Sequence, residues 1–167
     1  MILKVHSDAS YLSEANSRSH TGGHFYLGNL PGKPEVHNGA ILNPAGVLKM
    51  VVAAASEAEL AALFTNMKEA LVIRQLLKDL DRPQPPTIVI TDNSTAAGIA
   101  NDTIRQQKSR AVDMRLHWVR DRVAQKQFEV QWQKAEQNLA DYFTKHHSPK
   151  HHQMMRPFYL ANNKQNW

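Results

Sequence analysis

The stretch 87–101, TIVITDNSTAAGIAN, is the point from which the chain can be read. Ile88, Val89 and Ile90 form a β-branched apolar run just after the breaker DRPQPP, which predicts a short buried strand. The run ends at Asp92, and Asn93 or Ser94 then caps a helix carrying Ala96, Ala97 and Ile99. A carboxylate between a buried strand and a helix N-terminus lies at the mouth of an open α/β sheet, where ligands bind. For an isolated TDNS a plain helix cap is the commoner reading. The other carboxylates of the chain shift that balance.

Working outward towards the N-terminus, ILKVHSDAS (2–10) reads as a first strand, with Leu3, Val5 and Ser7 on one face and Lys4, His6 and Asp8 on the other. A strand bearing a candidate catalytic acid with no leader before it suggests a domain excised from a longer polypeptide. After a polar turn, His24 to Gly28 reads as a second strand with Phe25 and Leu27 inward. Ala40–Leu42 and then Val47–Val52 supply a third, completing an antiparallel meander. Ser56 opens a long helix to about Leu80, its stripe Leu60, Phe64, Met67 and Leu71.

Towards the C-terminus, a second long helix is predicted from Lys108 to Gln125, with Val112, Leu116, Val119 and Val123 on one stripe. Phe128, Val130 and Trp132 alternate with Glu129, Gln131 and Gln133 as a strand. Asn138 opens a last core helix, LADYFTK. Residues 146–167 read as a polar, His-rich tail with one helical turn around Met154–Leu160, behind a core domain of residues 1–145. The order of elements makes a mixed-sheet α/β domain.

The chain's 167 residues, 42% of them hydrophobic, suit one domain with a real core. No stretch approaches a membrane span. With no Cys, disulfides and thiolate metal sites are excluded, and an intracellular protein is expected. A net charge of +5 and a sequence pI near 9.6 favour a nucleic-acid partner modestly.

Four acids stand where elements begin or end: Asp8, Glu59, Asp92 and Asp141. Hard divalent cations take oxygen ligands, and a two-metal phosphoryl-transfer site needs several carboxylates converging on the ions. Each has a plainer reading as well. Ser56-x-x-Glu59 is a capping-box pattern, and Asp141 suits a solvated helix face. Glu57 competes with Glu59, because residues two apart on a helix point about 200° apart and only one can reach a given site.

Taken in order, HSDASY, ASEAELAAL, TDNSTAAGIAN and NLADYFTKHHSPKHH resemble the ribonuclease H domain of copia-type LTR retrotransposons. The resemblance runs from Lys4 to about Leu160, and its A-D-x-F-T-K ending is far more specific than a scatter of four acids. It implies a ribonuclease-H-like fold, a five-stranded mixed sheet of three antiparallel strands and two parallel additions, with helices on both faces. It implies that Asp8, Glu59, Asp92 and Asp141 bind two Mg²⁺ ions, with Mn²⁺ as a substitute. Its register favours Glu59 over Glu57. The implied activity is hydrolysis of the RNA strand of an RNA–DNA hybrid, beside a reverse transcriptase domain in a parent polyprotein. The isolated domain is expected to be a monomer, cytoplasmic or within a virus-like particle, and without a membrane partner.

The chain departs from the family in two places. Leu60 stands where Tyr is usual, and Ala111 where a His is frequent. No His lies between Gln131 and Asn138, where cellular ribonucleases H carry one, so the proton-handling residue is unassigned. Lys108, Arg115 and Arg122 recur every seven residues and form one stripe, which on such a domain can track phosphates. Together with Arg110, Ser10, Asn93 and Ser94 they are the nucleic-acid-binding candidates. His6 shares the strand face of Asp8. The histidines of FTKHHSPKHH are read as part of the tail. Two rival functions stay open: a catalytically degenerate module that binds hybrid for a neighbouring polymerase, and a nuclease of the same fold with another substrate.

Overall fold

A computed structural model describes residues 1–35, 37, 39–104 and 113–160, Asp113 by its backbone alone. Lys108 and Arg110, two of the phosphate-binding candidates, lie outside the described residues, as does the predicted start of the second long helix. Among the described residues the strands are β1 (Ile2–Glu14), β2 (Arg18–Gly28), β3 (Ala45–Val47), β4 (Thr87–Thr91) and β5 (Phe128–Trp132). They form one sheet in the order β3-β2-β1-β4-β5. β1 pairs antiparallel with β2 and β2 with β3, whereas β4 runs parallel to β1 and β5 parallel to β4. This is the mixed five-stranded sheet the sequence leads one to expect, with β1 and its Asp8 at the centre.

The period-2 pattern divides the two sheet faces. Leu3, Val5, Phe25, Val89, Phe128 and Val130 are buried on one face against α1 (Ala55–Asp79), α2 (Ser94–Ala100) and α3 (Asp113–Ala124). From α1 the core takes Leu60, Leu63 and Met67, and from α3 Leu116 and Val119. The opposite face carries Lys4, His6, His24 and Tyr26, partly covered by α4 (Pro149–Tyr159), whose Tyr159 ring meets His24 edge-on.

Several expected boundaries shift, each for a local reason. β1 and β2 form a longer ribbon than predicted, because the polar residues beyond Asp8 stay paired through Ser10 opposite His20 and again at Glu14 opposite Arg18. Gly22 and Gly23 belong to β2. They are small because other parts of the chain press on the backbone there: a Cβ on Gly22 would lie 2.7 Å from Thr144 Cγ2 and 3.0 Å from the Ala140 carbonyl. β3 is shorter than expected. Pro44 has no N–H to give a ladder, its carbonyl accepts from Gly23, and Leu42 contributes an isolated bridge to Phe25. Leu48 leaves the sheet to pack against Ala58 and Ala61 of α1.

The segment after Asn138 is a 3₁₀ turn (Leu139–Phe143) rather than an α-helix, with Asn138 accepting from the Ala140 N–H. The tail holds a longer helix than one turn. Ser148 accepts from the His151 N–H, and Pro149 sits in the first turn with no donor to leave unsatisfied, so eleven residues become helical.

Candidate active site

Asp8 comes from the centre of β1, opposite Gly22 on β2, and is 1% exposed. Glu59 comes from the first two turns of α1. That helix begins earlier than the capping-box reading supposed: Ala54 precedes it, and Glu57 reaches back to the Ala53 N–H at 2.7 Å. Capping duty therefore falls to Glu57, and Glu59, about 200° further round the helix, faces the sheet. Asp92 follows the last residue of β4. Its neighbour Asn93 caps α2 by accepting from the Ala96 N–H at 2.9 Å, which leaves the Asp92 carboxylate free of that task.

Carboxylate oxygens of Asp8, Glu59 and Asp92 lie within 4.8 Å of one another. Few neighbours neutralise them. Glu59 Oε1 accepts from the Ala9 N–H at 3.3 Å, while its Oε2 is buried with no partner among the described residues. Thr144 donates to Asp8 Oδ2, and its hydroxyl also reaches the Asp141 carbonyl. Burial, reinforced by the charges of Asp8 and Asp92, pushes the Glu59 pKa up to about 9. Burial also raises Asp8 to about 6, the Thr144 bond opposing and Asp92 adding to the rise. Asp92 is raised by burial too. Three like charges at this spacing, one with an orphaned oxygen, make a site that takes up protons or a cation. The donor set is all oxygen and drawn from three rigid elements, which fits a hard divalent ion.

Asp141 stays outside this trio. It lies on the 3₁₀ turn, and its Oδ1 is ion-paired with Lys145, although its charge acts on both Asp8 and Asp92. His6 is on the Asp8 side of the sheet as expected, but it serves the turn. Its Nδ1 accepts the Leu139 N–H at 3.1 Å, and burial followed by the nearby His24 lowers its pKa to about 3, so it is neutral. Asn138 adds a second tie, from its side-chain amide to the Ser7 carbonyl at 3.0 Å. Two residues that sequence reasoning left without a role, Thr144 and Lys145, are thus in the site. Both stood in the quoted ADYFTK segment, directly after Asp141.

Of the nucleic-acid-binding candidates, Ser94 is exposed beside Asp92, Asn93 is engaged as a cap, and Ser10 bonds Ser13. Arg115 and Arg122 lie half-buried along α3, their guanidinium carbons 5.9 Å and 5.4 Å from the ring centroids of Phe64 and Trp118. Arg120 faces inward to the Ile99 carbonyl and Asp102 and is structural. In the tail, His147 and His151 stack with ring centroids 4.2 Å apart and planes 17° from parallel. Nearly parallel rings set their nitrogen lone pairs side by side rather than convergent on one ion.

No family model matches the chain. In sequence it is 27% identical, over 144 residues and 86% of its length, to the retrovirus-related Pol polyprotein from transposon TNT 1-94 of Nicotiana tabacum. It spans 10% of that polyprotein's length. Among solved structures it is similar to the N-terminal RNase H domain of a Mycobacterium tuberculosis protein, solved as a fusion with maltose-binding protein. That likeness has a TM-score of 0.60 at 13% identity and covers 85% of this chain and 89% of the other. A second is LC11-RNase H1, from a compost metagenome and in complex with an RNA/DNA hybrid. There the TM-score is 0.61 at 10% identity, with 84% of this chain and 92% of the other covered. These likenesses show the fold: the chain has the ribonuclease H architecture.

Proposed function

We propose that this ribonuclease-H-fold chain, a relative of a retrotransposon Pol polyprotein, hydrolyses the RNA strand of RNA–DNA hybrids. Fold alone does not assign an activity. The observation that carries the reading is the trio of Asp8, Glu59 and Asp92, three buried or half-buried carboxylates within 4.8 Å, with Glu59 Oε2 unpartnered among the described residues. A module that only bound hybrid would have no use for so costly an arrangement.

Asp8, Glu59 and Asp92 would hold one Mg²⁺, and Asp8 with Asp141 would help hold a second, with Mn²⁺ able to substitute. Ions bound there supply an attacking water of lowered pKa and charge stabilisation for the leaving 3′-oxygen. The chain's own part is placement. β1, α1 and the end of β4 present the three carboxylates from separate rigid elements, and Thr144 fixes the orientation of Asp8. Arg115 and Arg122, spread over aromatic rings and so pre-set in direction, would contact backbone phosphates. Preference for the RNA strand would come from contacts to the 2′-hydroxyl. In a parent polyprotein the substrate would come from a neighbouring reverse transcriptase domain inside the cell.

The test is a cleavage assay with end-labelled RNA–DNA hybrid, duplex DNA, duplex RNA and single-stranded RNA, each with and without Mg²⁺. Cutting of the hybrid's RNA strand alone, and only with the ion, is expected. Hybrid binding with no cleavage under either condition would favour the degenerate module, and cleavage of duplex DNA a nuclease of other specificity.

A further inference from the structure

Lys145 is a cation that the proposed function does not use, yet it stands inside the acidic cluster. It follows Asp141 by four residues, and its ammonium pairs with Asp141 Oδ1. Its place is not adventitious. The preceding residue, Thr144, is buried and holds both Asp8 Oδ2 and the Asp141 carbonyl, so the Lys145 backbone is pinned to the central strand. From that anchor its charge acts on Asp8, Glu59 and Asp92 as well as on Asp141. Its side chain is 49% exposed, so it has room to swing away.

We infer that Lys145 is a built-in counter-ion of the carboxylate site, holding Asp141 out of the trio and competing with the more weakly bound of two divalent ions. The inference rests on the ribonuclease reading, in which Asp141 helps to hold a second ion. An ammonium neutralises one carboxylate but cannot act as a Lewis acid, so it guards the site without replacing the ion's chemistry. Three acids are already convergent, whereas Asp141 must first give up its lysine. The two ions should therefore bind unequally, the first at Asp8, Glu59 and Asp92, and the second only as Lys145 leaves. An exposed ion pair of this kind is weak enough to be displaced. Its effect is to make second-ion occupancy respond to divalent concentration.

The test needs no substrate. Mn²⁺ is titrated into the metal-free chain and the free ion followed by its EPR signal. The parent, Lys145→Met, Lys145→Arg and Asp92→Asn chains are used, each first shown to unfold cooperatively on heating. Lys145→Met keeps the length of the side chain and removes its charge. It should tighten the weaker ion about tenfold, the order expected when a full charge roughly 5 Å from a divalent ion is removed at high dielectric. Lys145→Arg should stay near the parent, and Asp92→Asn should lose the tighter ion. If Lys145→Met and the parent give the same isotherm while Asp92→Asn loses an ion, the counter-ion role is overturned and the metal-site reading survives. If neither the parent nor Lys145→Met takes up Mn²⁺, the ribonuclease reading falls and this inference with it.

Discussion

Replacing Glu59 by Gln should stabilise the domain when no divalent ion is present, although it removes an acid from the proposed site. Glu59 is 6% exposed, its Oε2 lacks a partner among the described residues, and burial followed by the charges of Asp8 and Asp92 lifts its pKa from 4.5 to about 9. An acid raised in this way binds its proton more tightly in the folded chain than in the unfolded one. The penalty of ionisation is therefore absent below pH 4.5 and grows as the pH climbs towards about 9. At pH 7, about 2.5 pH units above the ordinary value, it is on the order of 3 kcal/mol at 1.36 kcal/mol per unit. Gln has the same shape and does not titrate, but its amide must find partners of its own, leaving a net gain of about 1–2 kcal/mol. For a chain of this length that is roughly 2–8 °C in Tm. The assay is urea and thermal unfolding of both chains in EDTA at pH 7 and pH 5, where the gain should shrink to under about 1 kcal/mol. Comparing two chains at one pH cancels the titration of the buried histidines. With excess Mg²⁺ the order should reverse, because an ion bound only by the folded state stabilises the intact trio. A Glu59→Gln chain no more stable than the parent at pH 7, or a difference independent of pH, would refute the reasoning.

The same geometry gives further expectations. Gly22→Ala would push a Cβ to 2.7 Å from Thr144 Cγ2 and 3.1 Å from Phe143 Cβ, so it should destabilise by about 1–3 kcal/mol and lower cleavage by displacing the turn that orients Asp8. Urea unfolding and kcat on the hybrid, measured together, check both effects. Arg115 and Arg122 replaced together by Ala should raise KM for the hybrid, leave kcat largely intact and flatten the salt dependence of binding. Their stacking on Phe64 and Trp118 predicts a loss of roughly 1 kcal/mol in stability as well. Burial holds the His24 pKa down at about 4, so its stability contribution is full above pH 6.5 and lost as the pH falls towards 4. A His24→Phe chain should therefore lose less stability between pH 6.5 and 4 than the parent.

What could be read in the sequence follows from what each residue needs. Ile88, Val89 and Ile90 have no stable place except a sheet interior, and Phe128, Val130 and Trp132 alternate too cleanly for a helix. These strands were therefore legible one by one, while their arrangement in the sheet came with the family resemblance. Glu59 was chosen over Glu57 by family register, and the structure supplies the physical cause: Glu57 is taken by the Ala53 N–H. The polar ribbon beyond Asp8 was not legible, since Tyr11 to Thr21 carries no apolar alternation and is held by pairing between strands. The short β3 escaped because Val47–Val52 is apolar enough for a strand, yet after Val47 the chain turns Leu48 into a cluster with Ala58 and Ala61 of α1, Met50 and Val52 partly buried beside it and Val51 exposed. The tail helix could have been found, because Ser148-Pro149 is an N-cap followed by a first-turn proline. Asp141 shows the limit of reasoning from acids alone. Its position was expected, but its side chain is paired with Lys145, an i,i+4 partner that the spacing offered and that reasoning from the acids alone passed over.

The central claim is that the carboxylate trio performs chemistry rather than merely holding hybrid, and Asp92→Asn tests it most directly. Asn keeps the size of the side chain, leaves the Asn93 cap of α2 untouched and removes one ionisable oxygen ligand from the group of three. Hybrid affinity, measured by filter binding in Ca²⁺, and the single-turnover cleavage rate in Mg²⁺ are determined on the same preparation. The prediction is affinity within about threefold of the parent and a cleavage rate lowered by at least about 10³-fold, the signature of an interaction made only in the transition state. An Asp92→Asn chain that binds hybrid and cleaves it at the parental rate would contradict the account.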